Sequence, residues 1–346
     1  LATIIFTIVV SWTNIQKSLI IINAYTKDWN FDVLSNWVEN NIPKSSKVAA
    51  HNNVPLPVEE VERIIYEPAQ SFSIDEFREK GADYAIAHLG WATSGFYWWM
   101  GAKPKIFWKY YWNKPLDILE YSYPAIALRE LQNFMVYSVL NPWQAPDTDY
   151  LVAKIPKYKV LSREKEISYD FEKDLNGWFK EGKYWVTKDG LDWRDGSLIV
   201  KNEPAMLPSI RWQSLPIETK GWSAIVIDFK TKTESELENL KTGYVFLNFY
   251  KNVEDAKLSK NRIGVRVSKR NSLEGEWVNI NLVSQVPTNA EFMTIGFSSY
   301  NPVGSITKLD SLTVFKASII TDFGGVTVTP FEIDDNNLFP VSHGNL

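Results

Sequence analysis

The sequence predicts two architectures in series: a small α/β domain with a mostly parallel sheet, then an all-β sandwich or barrel. Three observations lead to it. Up to about residue 160, helix-capping signals alternate with short apolar runs. Beyond residue 165, short runs alternate apolar with polar residues and are separated by Gly, Asn, Asp and Pro, the pattern of strands and turns. The composition, 45% hydrophobic and 23% charged, is that of folded protein and excludes wholesale disorder.

The chain opens on an uncharged stretch, LATIIFTIVVSWTNIQ at 1–16. Its strictly apolar part is shorter than the roughly 20 residues of a full membrane span. Trp12 closes it, where an interfacial aromatic belongs. The segment 1–24 reads as the end of a transmembrane helix and a membrane-proximal linker. A signal peptide, for which a basic start is missing, and a buried core helix are the competing readings.

The α/β part occupies 25–160. Asp28 caps a helix over Trp29–Asn41, with Phe31, Leu34, Trp37 and Val38 at helical spacing and Pro43 after its end. Lys47–His51 is a short apolar strand, and Val58–Ile65 reads as a short helix. Ser73-Ile74-Asp75-Glu76 is a capping box, in which Ser73 caps and Glu76 reaches back. Gly81 supplies the left-handed residue that ends the helix. Asp83–Leu89 is the next buried strand, followed by a helix over Ala125–Val139 and a strand over Asp149–Ile155.

Between them lies 91–112, where ten of 22 residues are Trp, Tyr or Phe, so no single helix or strand period fits. Lys103, Lys105 and Lys109 stand among them. A loop lying on a bilayer surface has this composition, with Trp98, Trp99, Trp108 and Trp112, like Trp12, at the membrane. A local apolar cluster under a long loop explains it equally, and a sugar-stacking platform is a third reading.

The charged, aperiodic stretch Lys157–Lys165 marks the domain boundary. The sandwich then covers 165–318, with strands over Ser197–Lys201, Ser223–Lys230, Tyr244–Tyr250, Arg262–Lys269, Glu276–Leu282, Phe292–Ser298 and Ser311–Phe315. Ile225, Ile227 and Phe229 share one face, as do Ile263, Val265 and Val267, and Ile295 and Phe297. These faces are expected to meet between the sheets. Residues 319–346 carry four acidic residues and no Lys or Arg, and read as a tail or the start of a further module.

The charge balance, 37 basic against 41 acidic residues, makes no electrostatic case for nucleic acid. With no cysteine, disulfides, thiolate nucleophiles and Cys-ligated zinc are excluded. His51, His88 and His343 are scattered and form no metal motif. The carboxylates of Glu59, Glu60 and Glu62, and of Asp189–Asp195, lie in linear clusters, whereas a glycosidase needs two that face each other across a cleft.

Two stretches resemble known families. Asp28-Trp29-Asn30-Phe31-Asp32-Val33-Leu34-Ser35-Asn36-Trp37-Val38-Glu39-Asn40-Asn41-Ile42-Pro43, with Ser45-Ser46-Lys47-Val48-Ala49, resembles a segment of GT-C-fold membrane glycosyltransferases. These are the dolichyl-phosphate-mannose–protein mannosyltransferase-like enzymes of glycosyltransferase family 39. Glu76-Phe77-Arg78-Glu79-Lys80-Gly81-Ala82-Asp83-Tyr84-Ala85-Ile86 resembles the companion helix-strand of the same soluble domain. The resemblance covers about residues 5–90 and implies an extracytoplasmic region following a last transmembrane helix. The family's catalytic acids lie in an early loop with no counterpart here, so no catalytic residue is carried over. Trp98-Trp99 is followed by Met100 where the oligosaccharyltransferase WWD motif has Asp, a coincidental likeness.

The second resemblance covers about 167–316. Tyr169-Asp170-Phe171-Glu172 and Leu175-Asn176-Gly177-Trp178 look like the opening of jelly-roll carbohydrate-binding modules of families 4 and 9. Gly196–Val200, Gly275–Val278 and Leu309–Leu312 sit where those domains carry similar strands. It implies a jelly roll that holds glycan or acts as a spacer. It also implies a structural calcium between Glu172 and Asp310, against which stand a solvated Glu and a turn Asp. Calcium requires six to eight oxygens.

A sugar site needs an aromatic face and planar polar groups. Opposite the expected core faces stand Trp222, Asp228, Asn248, Tyr250, Arg262 and Arg266, which together line a candidate groove; a merely polar outer sheet is the alternative. Trp178 and Trp277 are expected at the sandwich edges. Two organisations fit these readings. One is the non-catalytic extracytoplasmic part of a membrane glycosyltransferase that uses a lipid-linked sugar. The other is a singly anchored surface carbohydrate-binding or adhesion protein with no enzyme activity.

Overall fold

The computed structural model describes residues 30–51, 54, 56–57, 61–65, 73–88, 127, 130–131, 133–139, 150–182, 190–202, 210–235, 240–271, 275–301 and 304–328. The first layer is a five-stranded sheet in the order β2-β1-β3-β5-β4, built from β1 (Lys47–Ala50), β2 (Glu62–Ile65), β3 (Tyr84–His88), β4 (Met135–Val139) and β5 (Tyr150–Lys154). β1 pairs parallel with β2 and β3, whereas β5 pairs antiparallel with β3 and β4. The sheet is therefore mixed, which corrects the expectation of a mostly parallel one.

Helix α1 (Asn30–Asn41) covers one face of this sheet. Leu34, Val38 and Ile42 recur at the spacing of one helical stripe and bury against Val48, Ala50, Ile86 and Val152. Trp37 stacks on Tyr137 with ring centroids 4.4 Å apart. The other face is lined by alanines, Ala49, Ala85, Ala87 and Ala153. Their small side chains admit the bulky Phe77 of α2 (Ile74–Glu79) and Leu131 of the helical segment at 127 and 130–131.

Two corrections belong here. Glu62–Ile65 is a strand and not the end of a helix, and Met135–Val139 is a strand where a helix over Ala125–Val139 was expected. Ser73 caps α2 as predicted, its Oγ accepting from the Glu76 N–H at 3.3 Å. Glu76 Oε1, however, accepts from the Arg270 N–H at 3.0 Å, so it reaches into the sandwich.

The sandwich has two antiparallel sheets. The front one is β14-β13-β16-β10-β7, with β11 also on β16; the back one is β15-β12-β17-β9-β8, with β6 also on β17. The front strands are β7 (Phe179–Gly182), β10 (Ile210–Gln213), β11 (Ile217–Glu218), β13 (Tyr244–Tyr250), β14 (Gly264–Val267) and β16 (Phe292–Ser298). The back strands are β6 (Lys157–Tyr169), β8 (Leu191–Arg194), β9 (Ser197–Lys201), β12 (Ala224–Glu234), β15 (Val278–Gln285) and β17 (Ile306–Asp322). Ile225, Ile227 and Phe229 of β12 meet Val245, Leu247, Phe249, Ile295 and Phe297 between the sheets, as the alternation predicts.

Val265 and Val267 do not join that core. They pair with Asn248 and Phe246 on the outer face of the front sheet and share a cluster with Phe77, Leu131 and Phe134 of the α/β layer. The two parts are thus joined by one apolar core. Arg266 seals the seam. Its Nε donates to the Val283 carbonyl at 2.9 Å, Nη2 to Asp75 Oδ1 at 2.6 Å, and Nη1 to Glu130 Oε1. Glu130 also accepts from the Ile74 N–H at 3.1 Å and the Val267 N–H at 3.2 Å.

The stretch Lys157–Lys165, expected to be a boundary, lies within β6, whose first residue pairs with Asp322 at the end of β17. Residues 319–322 continue β17, and Phe323 and Val326 pack back on the two faces of the α/β sheet. Residues 329–346 lie outside the described residues, as do the apolar start 1–24 and the aromatic segment 91–112, with Trp12, Trp98, Trp99, Trp108 and Trp112. Among the described residues no helix is long and apolar enough to cross a membrane.

Candidate functional site

Strand alternation gives the front sheet an apolar inner face and an outer face that is apolar where Phe246, Val265 and Val267 meet the α/β layer and polar beside it. On β13, Asn248 and Tyr250 point outward between Leu247 and Phe249 of the core. Thr294 stands beside Asn248 on β16, and Gln213 of β10 faces Gly296. Arg211, two residues before Gln213, is outward too. Its Nε donates to Glu181 Oε2 of β7 at 2.7 Å, and its guanidinium lies 5.1 Å over the Phe246 ring.

This row is buried: Asn248 and Gln213 are each 1% exposed. The cover is the segment between β13 and β14, with helix α3 (Val253–Leu258) and the turn at Ser259. Ser259 Oγ accepts from Gln213 Nε2 at 3.1 Å and from Arg211 Nη2 at 3.3 Å. Beneath it, Asn248 Nδ2 and Gln213 Oε1 make no hydrogen bond. Burial pushes the Tyr250 phenol up to about 12, tempered by Arg211 and by the hydroxyls of Thr294 and Ser259 that it faces. It therefore remains a neutral hydroxyl at any physiological pH.

Of the six residues expected to line one groove, only Asn248 and Tyr250 share this face. Arg262 is buried in the chain leading from α3 to β14. Arg266 is the seam residue, so it is corrected from a sugar contact to an ion-pair partner of Asp75 and Glu130. Asp228 lies on the outer face of the back sheet, bound by Arg163 Nη1 at 3.0 Å and Asn281 Nδ2 at 2.6 Å. Trp222 is half-buried against the inter-sheet core.

The residues that complete the front face, Arg211, Gln213, Thr294 and Ser259, were not singled out from sequence. For Thr294 the signal was present, since it alternates with the core residues Met293 and Ile295. Arg211 and Gln213 flank the buried Trp212 in the same way. Nothing local marks Ser259.

Trp178 packs edge-on against Tyr169 and Phe171 inside the core, whereas Trp277 is 37% exposed with Lys230 Nζ 5.0 Å and Lys232 Nζ 5.3 Å from its ring centroid. The two residues expected to share calcium have other neighbours. Asp310 Oδ2 accepts from Lys230 Nζ at 3.2 Å. The Glu172 carboxylate lies about 3.0 Å from where a Cβ would stand on Gly196. Among the described residues no group of three or more His, Asp or Glu could hold a metal ion.

Comparison with protein-family models gives no match, and comparison with curated proteins gives none. Similar solved structures include the CBM22-1–GH10 modules of Clostridium thermocellum endo-1,4-β-D-xylanase 10B complexed with xylohexaose. That similarity has 16% identity, covers 45% of this chain and 29% of that one, and has a TM-score of 0.33. The apo CBM1 of BiXyn10A is similar at 12% identity over 44% of this chain and 97% of its own, TM-score 0.31. A CBM4 structure is similar at 15% identity over 45% and 96%, TM-score 0.27. The chain spans less than a third of the first of these. At such TM-scores the β-sandwich stands on its own strand pairing.

Proposed function

We propose that this chain is the non-catalytic extracytoplasmic part of a membrane glycosyltransferase that uses a lipid-linked sugar, and that its sandwich takes up glycan on the outer face of the front sheet. The observation that carries glycan uptake is the unmatched pair beneath α3. Asn248 Nδ2 and Gln213 Oε1 are buried without a partner, and each such atom costs roughly 1–3 kcal/mol. Such atoms call for a partner, and a bound polar ligand supplies one here, as ordered water or an ion does elsewhere. The surrounding groups suit a sugar: planar amides and a guanidinium for hydroxyl pairs, the Thr294 hydroxyl and the Tyr250 phenol. The two amides offer one donor and one acceptor, as a hydroxyl does.

The glycosyltransferase context rests on the sequence resemblance, whose two stretches form helix-turn-strand units. α1 runs through a turn at Pro43 into β1, and α2 runs through Gly81 (φ 78°) into β3. The docked sandwich would then hold an acceptor glycan at a fixed position relative to the membrane-proximal layer.

Calorimetric titration of the whole chain with mannotriose, xylohexaose and cellohexaose tests the glycan claim. Binding by at least one, lost in Asn248→Ala, is the expected result; no heat with any of the three removes it. For the context, reading the coding sequence upstream of Leu1 distinguishes a polytopic enzyme, with many apolar spans and an acidic first loop, from a protein with one anchor.

A further inference from the structure

The segment over the polar row is lightly held. Between Lys251 and Arg262 only Ala256, Ser259 and Arg262 are buried, and Leu258 is 61% exposed. Most of its bonds are internal. Asn252 Oδ1 caps α3 by accepting from the Asp255 N–H at 2.8 Å, and Asn261 Nδ2 donates to Asp255 Oδ1 at 2.8 Å. Ser259 adopts the left-handed conformation, φ 52° and ψ 42°, which costs an L-residue roughly 1–2 kcal/mol. That conformation sets its hydroxyl between Arg211 and Gln213. The hydroxyl thus satisfies two donors and leaves Asn248 Nδ2 and Gln213 Oε1 unmatched.

We propose that Ser259 is an internal plug. Its Oγ occupies the place of a ligand hydroxyl, and α3 with its flanking turns is the lid that carries it away. The identity of the ligand rests on the glycan reading above. A polyol outcompetes the plug because its adjacent hydroxyls replace Ser259 Oγ at Arg211 and Gln213 and also reach the two unmatched amide atoms. One serine hydroxyl can do only the first. The strained backbone at 259 favours release, and the short helix moves as a unit because its caps are its own residues.

The test uses the whole chain and two variants. Ser259→Gly removes the hydroxyl at a position whose left-handed backbone glycine adopts without strain, so the fold is kept. Asn252→Ala removes the helix cap and loosens the lid without touching the polar row. Mannotriose and xylohexaose are the probes. Ser259→Gly is expected to bind at least one probe about tenfold or more tighter than the parent, and Asn252→Ala to bind faster. Equal affinity of parent and Ser259→Gly overturns the plug.

If neither probe binds any of the three proteins, the glycan reading falls, and hydrogen exchange alone decides the lid. The Ser259 and Lys260 amides should then exchange on the order of 100-fold faster than those of β13, as a locally opening segment does. They should exchange faster still in Ser259→Gly. Exchange in step with β13 overturns the lid.

Discussion

Arg266→Met probes the seam between the α/β layer and the sandwich. Arg266 is 2% exposed, Asp75 3% and Glu130 0%. Two buried carboxylates therefore share one buried guanidinium. Without it, among the described residues Glu130 keeps the backbone N–H groups of Ile74 and Val267, and Asp75 keeps Arg78. Removing one member of a buried ionic network leaves uncompensated charge at a cost of roughly 3–5 kcal/mol. That is roughly a fifth or more of the 5–15 kcal/mol that ordinarily holds a domain together. Urea unfolding followed by tryptophan fluorescence and by far-ultraviolet circular dichroism measures it. The parent should unfold in one transition common to both probes, whereas Arg266→Met should unfold at lower urea with the transitions separating. Glu130→Gln in the Arg266→Met background should recover part of the loss, because it removes the uncompensated charge while the amide oxygen still accepts one of the two N–H bonds. A loss under about 1 kcal/mol, or no recovery from Glu130→Gln, would refute the assignment of Arg266 as the charge that neutralises the seam.

Gly296→Ala should destabilise by roughly 1–3 kcal/mol through overpacking, because its Cβ would stand 2.1 Å from the Phe246 ring; calorimetric melting checks it, and an unchanged melting temperature would refute it. Glu234 is held below the ordinary glutamate value of 4.5 by Lys232 first and by Lys308. A depressed carboxyl stabilises the fold above its unfolded pKa, and the contribution is lost as the pH falls through the lower folded value. Glu234→Gln should therefore melt below the parent at neutral pH, with the gap closing well below pH 4.5; a gap that persists at pH 2 would contradict this. Because Asp310 is occupied by the Lys230 ammonium, EDTA should leave the melting temperature in place, and a fall of several degrees would restore calcium to Glu172 and Asp310.

The sandwich core was legible because its strands bury one face only. Ile225, Ile227 and Phe229 alternate with Val226, Asp228 and Lys230, and the period alone selects the inner set. β6 was not legible. Among the described residues it pairs with β17 alone and leaves most of its length exposed, so nothing there forces an apolar period on Lys157–Glu166. Those charges, along an edge, discourage another chain from adding to the sheet. Met135–Val139 was read as the end of a helix begun at Ala125, because five residues apolar but for Ser138 are too few to show a strand period of their own.

Alternation also tells which residues share a face, but not what covers it. Val265 and Val267 were therefore assigned to the wrong core, and Arg266 to the wrong partner. Its carboxylates lie 191 and 136 residues away in the chain, beyond any local signal. The candidate site shows the same division. Asn248 and Tyr250 followed from their strand, whereas Ser259 was invisible because its role depends on a tertiary crossing.

The chain enters the sandwich along β6 and leaves it along β17, and these strands run side by side from the Lys157–Asp322 pair onward. Phe323 and Val326, just past that pair, are seated in the α/β layer. In mechanical terms the sandwich is a side branch. Tension applied between residues 30 and 328 is carried within the α/β layer while Phe323 and Val326 stay seated. Only once they are extracted does the pull reach the ribbon, and it then opens the rungs one at a time, starting at Lys157–Asp322. A module attached this way can be dragged along with its neighbour without being stretched.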